Sequence, residues 1–523
     1  MAQVNKIDSN ATGLRYAEED SIGTLGTPTW YGLEPNSYND FGGEIATIAR
    51  NPINIDRQRQ KGVTTDLDAA GGFNHDLVQD NLQDILQGFF FADLRRKGEE
   101  TVTAVDLDTS NPDEFEVAAT AGFLTNSLIL GTGFTNAGNN GLFTVTAITT
   151  DTSVEVADGE LTAEASPPSD AKITVVGHVG AAGDLTIDVS GNLPVLASSS
   201  LDFTTLGLIP GEWIWIGGAT ASDQFFNSEN NGFARIFSIT ANALTLDKTQ
   251  STMVTDDGTD TGSGGTNLAI QLFFGRVLKN ENTSTLIQRR TYNLERTLGA
   301  PDGASPSAIQ SEYLVGAVPS ELVMNFSGQD KVNLDMNFVA TDHETRDAAT
   351  GVKSGTRPTL AADDAFNTSS DFTRLKMHVL DPTDSNPTAL FAYLTDFSIT
   401  INNNVSPNKA ISVLGAFDIT AGQFTVSGSA TAYFSNVSAV ASVRANADVT
   451  IDFALVKSRI VDSNTIYSGI VCDLPLLSLG DGRANVEQDE PITLPITKEA
   501  AADRDFDHTL LMVFFDYLPS TAN

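Results

Sequence analysis

The stretch VNLDMNF, Val332 to Phe338, alternates without a break. Val332, Leu334, Met336 and Phe338 fall on one side of an extended chain; Asn333, Asp335 and Asn337 fall on the other. A period of two predicts a strand with one face on a core and one polar face. QFTVSGSATAYF, Gln423 to Phe434, repeats the pattern much later in the chain. There Phe424 and Val426 oppose Thr425, Ser427, Ser429 and Thr431. Both polar sides are built of short neutral or acidic side chains, and neither holds Lys or Arg. Lys331, one step outside the first stretch on the polar alternation, is the exception. Sheets of this kind expose unpaired edges, which a protein must pair, cover or blunt. Pairing them around a closed ring of subunits gives a barrel without edges.

Outward from these two strands, the same order of elements occurs twice. IATIARNPINIDRQ and KGVTTDLDAAGGFNHDL, from Ile45 onward, read as two strands, and QDNLQDILQGFF follows as the clearest helix. Leu82, Ile85, Leu86 and Phe89 recur at i, i+3, i+4 and i+7 and so share one helix face. The pattern resumes with TYNLERTL (Thr291 to Leu298) and YLVGAVPSEL before reaching VNLDMNF. In the second half FSITINNN (Phe397 to Asn404) echoes INIDRQRQ (Ile53 to Gln60), and FDITAGQFTVSGSATAYF echoes TDLDAAGGFNHDL. SNVSAVASV takes the helix position, TIDFALV matches TYNLERTL, and the segment from Tyr467 to Ile496 matches the one from Tyr313 to Phe338. Each half reads strand, strand, helix, strand, strand, strand. The expected organisation is an N-terminal arm (1–44), a first β domain (45–98 with 276–346), a linker (347–372) and a second β domain (373–523).

Residues 99–275 form an insertion of a different composition. Residues 101–275 hold 21 acidic and 3 basic side chains, a balance suited to a solvated outer surface. The segment is dense in Gly, Thr, Ser, Val and Ile, with no helical period. It contains its own repeat: GFLTNSLILG (Gly122 to Gly131) pairs with GLIPGEWIWI (Gly207 to Ile216), and NNGLFTVTAITTDTSVEV (from Asn139) with NNGFARIFSITANALTL (from Asn230). Two small all-β modules are expected, left through a flexible stretch, TDDGTDTGSGGT (Thr255 to Thr266).

Composition narrows the function. The chain has 523 residues and a net charge of −37, which repels nucleic acid and anionic membranes. Its start is polar, unlike a signal peptide, and its longest apolar runs are too short to span a bilayer. A soluble protein outside the secretory route is expected. Cys472 is the single cysteine, and the five histidines are scattered, so neither a disulfide nor a sequence-local metal motif exists. GTGFTNAG (Gly131 to Gly138) lacks the Lys-Ser/Thr of a phosphate loop and reads as a turn. Asp256/Asp257, Asp363/Asp364 and Asp489/Glu490 read as solvated loop carboxylates rather than glycosidase pairs. Cys472 shares a side with Ile470 and Leu474 and reads as a buried hydrophobe. His75, ahead of the helix, suits a cap or surface role, and Trp213 with Trp215 suits a module core better than a sugar platform. No catalytic, cofactor-binding or metal-binding residue is assigned.

TGLRYAEE (Thr12 to Glu19), LEPNSYNDFGG (Leu33 to Gly43) and AGGFNHDLVQDNLQDILQGFFFADLR (Ala70 to Arg95) resemble tail tube proteins of long-tailed, siphovirus-like bacteriophages. GQFTVSGSATAYF, LPLLSLGDG and PITLPI share the likeness, which covers the chain outside 99–275. The resemblance implies a mainly β fold: two tandem β-sandwich or half-barrel domains, each with a flanking helix, plus the inserted all-β decoration. It implies a structural virion protein, not an enzyme, with no cofactor. Such a protein self-assembles into stacked rings that form the tail tube through which DNA is ejected. Implied partners are the chain itself and the terminator, tape measure and distal tail proteins, with DNA only in transit and no membrane. The implied location is the virion tail, and the host cytoplasm during assembly. Two similar halves per chain predict a trimeric ring with pseudo-sixfold symmetry. The insertion is expected to be replaceable by a short linker without loss of assembly. The lumen, which must not hold phosphates, is expected to be lined by Asn333, Asp335, Asn337, Thr425, Ser427 and Ser429. The second reading is a β-rich adhesin or receptor-binding tail component, and the third an acidic glycan-active enzyme.

Overall fold

The protein is described from a computed structural model that covers residues 6–53, 55, 57–107, 113–149, 152–260, 262, 264–302, 304–360, 363–434 and 437–523. Among the described residues, two large antiparallel sheets of 16 and 13 strands carry the structure. Every strand of the smaller sheet comes from Glu99–Phe274.

Twelve elements of the larger sheet and its cover position the features below. In the first half they are β1 (Pro35–Arg50), β2 (Gln60–Asp76), α1 (Gln83–Phe90), β3 (Tyr292–Gly299), β4 (Gln310–Ser327) and β5 (Asn333–Ala340). In the second they are β6 (Leu394–Asn402), β7 (Thr425–Tyr433), α2 (Ser438–Ala445), β8 (Val449–Val461), β9 (Asn464–Asp481) and β10 (Thr493–Ala500). Within the first half β1 pairs β2, β2 pairs β5, β5 pairs β4 and β4 pairs β3. The second half repeats this: β6 pairs β7, β7 pairs β10, β10 pairs β9 and β9 pairs β8. The halves join through β4 and β6, from Glu321 opposite Asn402 to Ser327 opposite Asp396. One continuous ribbon of eight strands results, in the order β1-β2-β5-β4-β6-β7-β10-β9.

Alternation explains why these segments are strands. On β5, Leu334, Met336 and Phe338 are buried at 2% exposure or less, while the Asn and Asp between them remain half-exposed. The apolar faces of both halves feed one core, which also takes Leu82 from the start of α1 and Ile85, Leu86 and Phe89 from within it. Removing a face of this size from water is the main stabilising term. α1 stops where Phe91 turns left-handed (φ 49°) and its N–H bonds back toward the last turn.

The expected arm is largely sheeted: Gly13–Glu18 pairs with β3, and β1 begins at Pro35 rather than Ile45. Residues 1–5 of that arm lie outside the described residues. INIDRQRQ, of which residues 54 and 56 are likewise outside, does not correspond to β6. The strand holding β6's place in the first half is β1, and the stretch from Ile53 lies beyond it in the β1–β2 hairpin. Alternating isoleucines imitate a core strand, yet Ile53 is fully exposed. The supposed linker 347–372 is anchored too. Trp30 donates from its backbone to Thr356 and from Nε1 to Ser354, and Phe366 is buried in the core beside Leu77.

The insertion realises its repeat as one loop built twice. F-x-N-x-x-N-N-G occurs at Phe134–Gly141 and at Phe225–Gly232. Asn140 receives the Phe134 N–H and returns a bond to the Phe134 carbonyl, both 2.9 Å; Asn231 does the same with Phe225 at the same distances. Beneath each loop a buried carboxylate collects the other asparagine: Glu164 from Asn139, and Asp256 from Asn230. Asp256 is therefore a structural anchor rather than a solvated loop residue, and the stretch from Thr255 is no free linker. It goes on to close a two-stranded ribbon, Thr259–Asp260 with Thr266–Asn267.

Candidate functional site

The polar face of the eight-stranded ribbon runs across both halves of the chain. Directly opposed residues of neighbouring strands point to the same side, so the register fixes its membership. Asn333, Asp335 and Asn337 on β5 oppose Asn325, Val323 and Glu321 on β4. These in turn oppose Ser398, Thr400 and Asn402 on β6. Thr400 and Asn402 oppose Ser427 and Thr425 on β7, and Ser398 Oγ lies 3.1 Å from Ser429 Oγ. Six residues drawn from two distant stretches thus occupy one face of one sheet. Across β7, Ser427 and Ser429 oppose Glu499 and Thr497 on β10.

The side chains on this face tie the strands together. Asn74 Nδ2 on β2 donates to Asp335 Oδ1 at 2.7 Å, and Asn325 Nδ2 on β4 donates to Asp335 Oδ2 at 3.0 Å. Asn36 on β1 bonds Asn74 and Asp76. Lys331, the cation that broke the pattern, is held by Asp76 at 2.7 Å and donates to Asn36 at 3.1 Å. Its charge is neutralised on the face itself. Asp335 is the residue on which the ladder of amides converges, a role that alternation alone does not reveal. Asn74 was the available signal, since it stands on the same alternation in GGFNHDL.

The other residues weighed from sequence have structural roles. His75 is buried and not a helix cap. Its Nε2 accepts from the Glu34 backbone at 3.1 Å, its Nδ1 faces the Asp76 carbonyl, and burial lowers its pKa. Cys472 is fully buried beside Ile470, and burial pushes its thiol well up. Trp213 and Trp215 are buried, but in a cluster shared with Val471, Val513 and Phe515 of the second half rather than in a module core alone. Asp106, Glu114 and Glu116 approach one another on neighbouring strands of the insertion. They are at least partly exposed, as carboxylates on an acidic surface usually are.

That shared cluster contains an ion network. Arg235, from the insertion, reaches Asp473 of β9 at 2.7 Å and Asp247 at 2.5 Å. Lys248 reaches Asp473 at 2.6 Å and donates to Thr450 on β8. Arg374 binds Asp452 and lies over the Trp213 ring at 5.0 Å. Arg235, Lys248, Asp452 and Asp473 are all within 1% exposure. Burial drives the Asp473 carboxyl up, yet Arg235 and Lys248 outweigh it and hold the group well below the usual range. The chain enters and leaves the insertion side by side, with Arg95 and Val277 exchanging backbone bonds of 2.8 and 3.0 Å. The insertion therefore branches from the first half and is bonded to the second.

Among the described residues no helix is long and apolar enough to cross a membrane. No curated protein matches the chain. The family model for phage tail tube protein matches residues 9–500. That match takes in the whole eight-stranded ribbon, both helices and the insertion. With its duplicated, mainly β architecture and its nearly cation-free sheet face, the chain belongs to the phage tail tube protein family, structural components of the virion tail.

Proposed function

We propose that this protein assembles into rings that stack into the tail tube, and that the polar face of the ribbon lines the bore through which DNA is ejected. The observation that carries the reading is the single continuous face shared by Asn333, Asp335, Asn337, Thr425, Ser427 and Ser429. Phosphate binding rests on Lys and Arg contacts, and Lys331 at this face is paired with Asp76. Among the described residues, β1 pairs only with β2, and β9 beyond Leu477 pairs only with β10. The ribbon thus ends in two edges that a neighbouring copy can satisfy. Three chains would supply six similar four-stranded units, and the repeated topology supports a trimeric ring with pseudo-sixfold symmetry. The insertion packs on the side of β8 and β9 away from the core, through Ala454, Val456 and Val471, and not on the stretch of β9 that pairs with β10 beside the polar face.

Terminator, tape measure and distal tail proteins are the expected partners beyond the ring itself, and assembly takes place in the host cytoplasm. Electron microscopy of the purified protein is expected to show hollow tubes, and native mass spectrometry of rings is expected to give three chains. Discrete compact particles that bind cells or glycans and never polymerise would instead support the adhesin reading; six chains per ring would remove the pseudo-sixfold arrangement.

A further inference from the structure

One seam of the ribbon is open, and a buried lysine stands in it. β6 and β7 pair at Asp396 opposite Thr431 and Phe397 opposite Ala430, and again from Thr400 opposite Ser427 to Asn402 opposite Thr425. Between these runs, among the described residues, Ser398 and Ile399 have no ladder partner on β7, although the offset between the strands is the same on both sides. The neighbouring seams are closed at this level: Ser398 opposes Asn325 on β4, and Ser429 opposes Thr497 on β10. The Ser429 N–H goes not to the Ser398 carbonyl but to Ser398 Oγ, at 3.2 Å.

Lys498 of β10 fills the gap from the core side, on the alternation of the buried Leu494 and Ile496. Its Nζ donates to the Ser398 carbonyl at 2.6 Å and to the Ser429 carbonyl at 2.9 Å, and lies 4.4 Å from the centre of the Phe397 ring. The residue is 1% exposed, and neither bond goes to a carboxylate. Gly428 makes the room: a Cβ there would stand 2.1 Å from the Ser398 oxygen and 3.1 Å from Lys498 Cε.

Two antiparallel strands in register satisfy each other's backbone groups, so the ladder does not need this lysine. An amino group has instead taken the place of two backbone donors. As an ammonium it makes stronger, charge-assisted bonds to the carbonyls, but its burial without an anion opposes the charge. Burial brings its pKa from 10.5 down to about 7, against the pull of Cys472 on β9 and Asp396 on β6. Cys472 is a neutral thiol, its own pKa pushed well up by burial, and Asp396 is exposed to solvent. Neither locks the lysine in its charged form.

We propose that Lys498 is a proton-dependent strut: as an ammonium it props the β6–β7 seam open, and on losing its proton it lets Ser398 and Ser429 exchange backbone hydrogen bonds and the seam close. Closing needs no slip of one strand along the other, because the offset is already the same on either side. It also frees Ser398 Oγ from the Ser429 amide at the middle of the polar face, where the two hydroxyls lie 3.1 Å apart. The inference stands whether or not that face lines a bore.

The test is amide hydrogen exchange of the full chain across a pH series, with rates corrected for intrinsic exchange. From about pH 6 to about pH 9, protection of the Ser398 and Ser429 amides is expected to rise about tenfold, with no comparable change in the β4–β6 and β7–β10 seams. Lys498→Met is expected to show the high protection at every pH. Lys498→Arg, which keeps its charge, is expected to show the low protection throughout. Circular dichroism checks folding; if neither variant folds, the wild-type series alone decides. Wild-type protection that does not change with pH, or a folded Lys498→Met chain no better protected at this seam than the wild type at low pH, overturns the strut.

Discussion

At the residue scale, the buried histidines set the acid limit of the molecule. His178, His378 and His508 are each buried with an unpartnered ring nitrogen. Burial lowers their pKa to about 4, about 3 and about 4. His378 faces Lys248, Lys376, Arg374 and Asp452; His508 faces Asp473, Lys279 and Arg235. Because the folded pKa values lie below the ordinary 6.5, the unfolded chain takes up protons first as pH falls. Stability is fully present above about pH 6.5 and declines through the window down to about 4, continuing to about 3 for His378. Urea unfolding midpoints from pH 7 to pH 4 are expected to fall steadily, and His378→Gln is expected to flatten part of the slope below pH 5. A midpoint constant across that window would show that these rings do not remain neutral in the folded protein. None of this could be seen in the sequence, where five scattered histidines carry no period and no common motif.

At the scale of the element, alternation made the strands legible and the register did not. β5 and β7 both follow the period read from VNLDMNF and QFTVSGSATAYF. The helix at Leu82 to Phe89 is present because its apolar spacing has a core to meet. That the two polar faces become one depends on β4 pairing β6, a contact between halves that no local pattern encodes. The mistaken correspondence of residues 53–60 has the same origin: periodicity reports which side chains could share a face, not whether anything covers them. The polar face also has its own test. Asp335→Lys with Ser427→Lys places cations on strands β5 and β7 of the proposed bore. Asp335 receives Asn74 and Asn325, so its loss costs about 1–3 kcal/mol in unsatisfied partners, while Ser427 is exposed. Tubes are expected to form, and DNA ejection from such virions is expected to slow, with relief at high salt. Normal ejection would place the face outside the bore.

For the whole molecule, a composition shift near residue 99 and a return near 275 set one stretch apart in the sequence, and how that stretch is attached has no such signal. The described strands of the smaller sheet fall within Glu99–Phe274. Nothing in the spacing of Arg235, Lys248 and Asp473 announces that they meet. The ions and the apolar cluster around Trp213, Val471 and Phe515 argue against free removal of the insertion. Stripping one partner from a buried ion pair costs about 3–5 kcal/mol. Replacement of 99–275 by a Gly/Ser linker strands Asp473 in that way and bares the apolar side chains. Soluble yield is expected to collapse, and a soluble, assembling deletion would show that the interface is dispensable.

The nested path of the chain also orders its biosynthesis. Asn74 bonds Asp335 across 261 positions of sequence, so β1, β2 and α1 leave the ribosome long before the strand that closes their sheet exists. During that interval the growing chain carries an unpaired β2 edge and the bare apolar face of α1. Such intermediates are aggregation-prone, and contacts so distant in sequence form slowly. The insertion cannot shelter them in the meantime, because its own partner, Asp473, is translated later still. A ribosome pausing between residues 100 and 330 therefore holds a half-domain with nothing to fold against, and the span of synthesis most in need of a chaperone is the insertion itself.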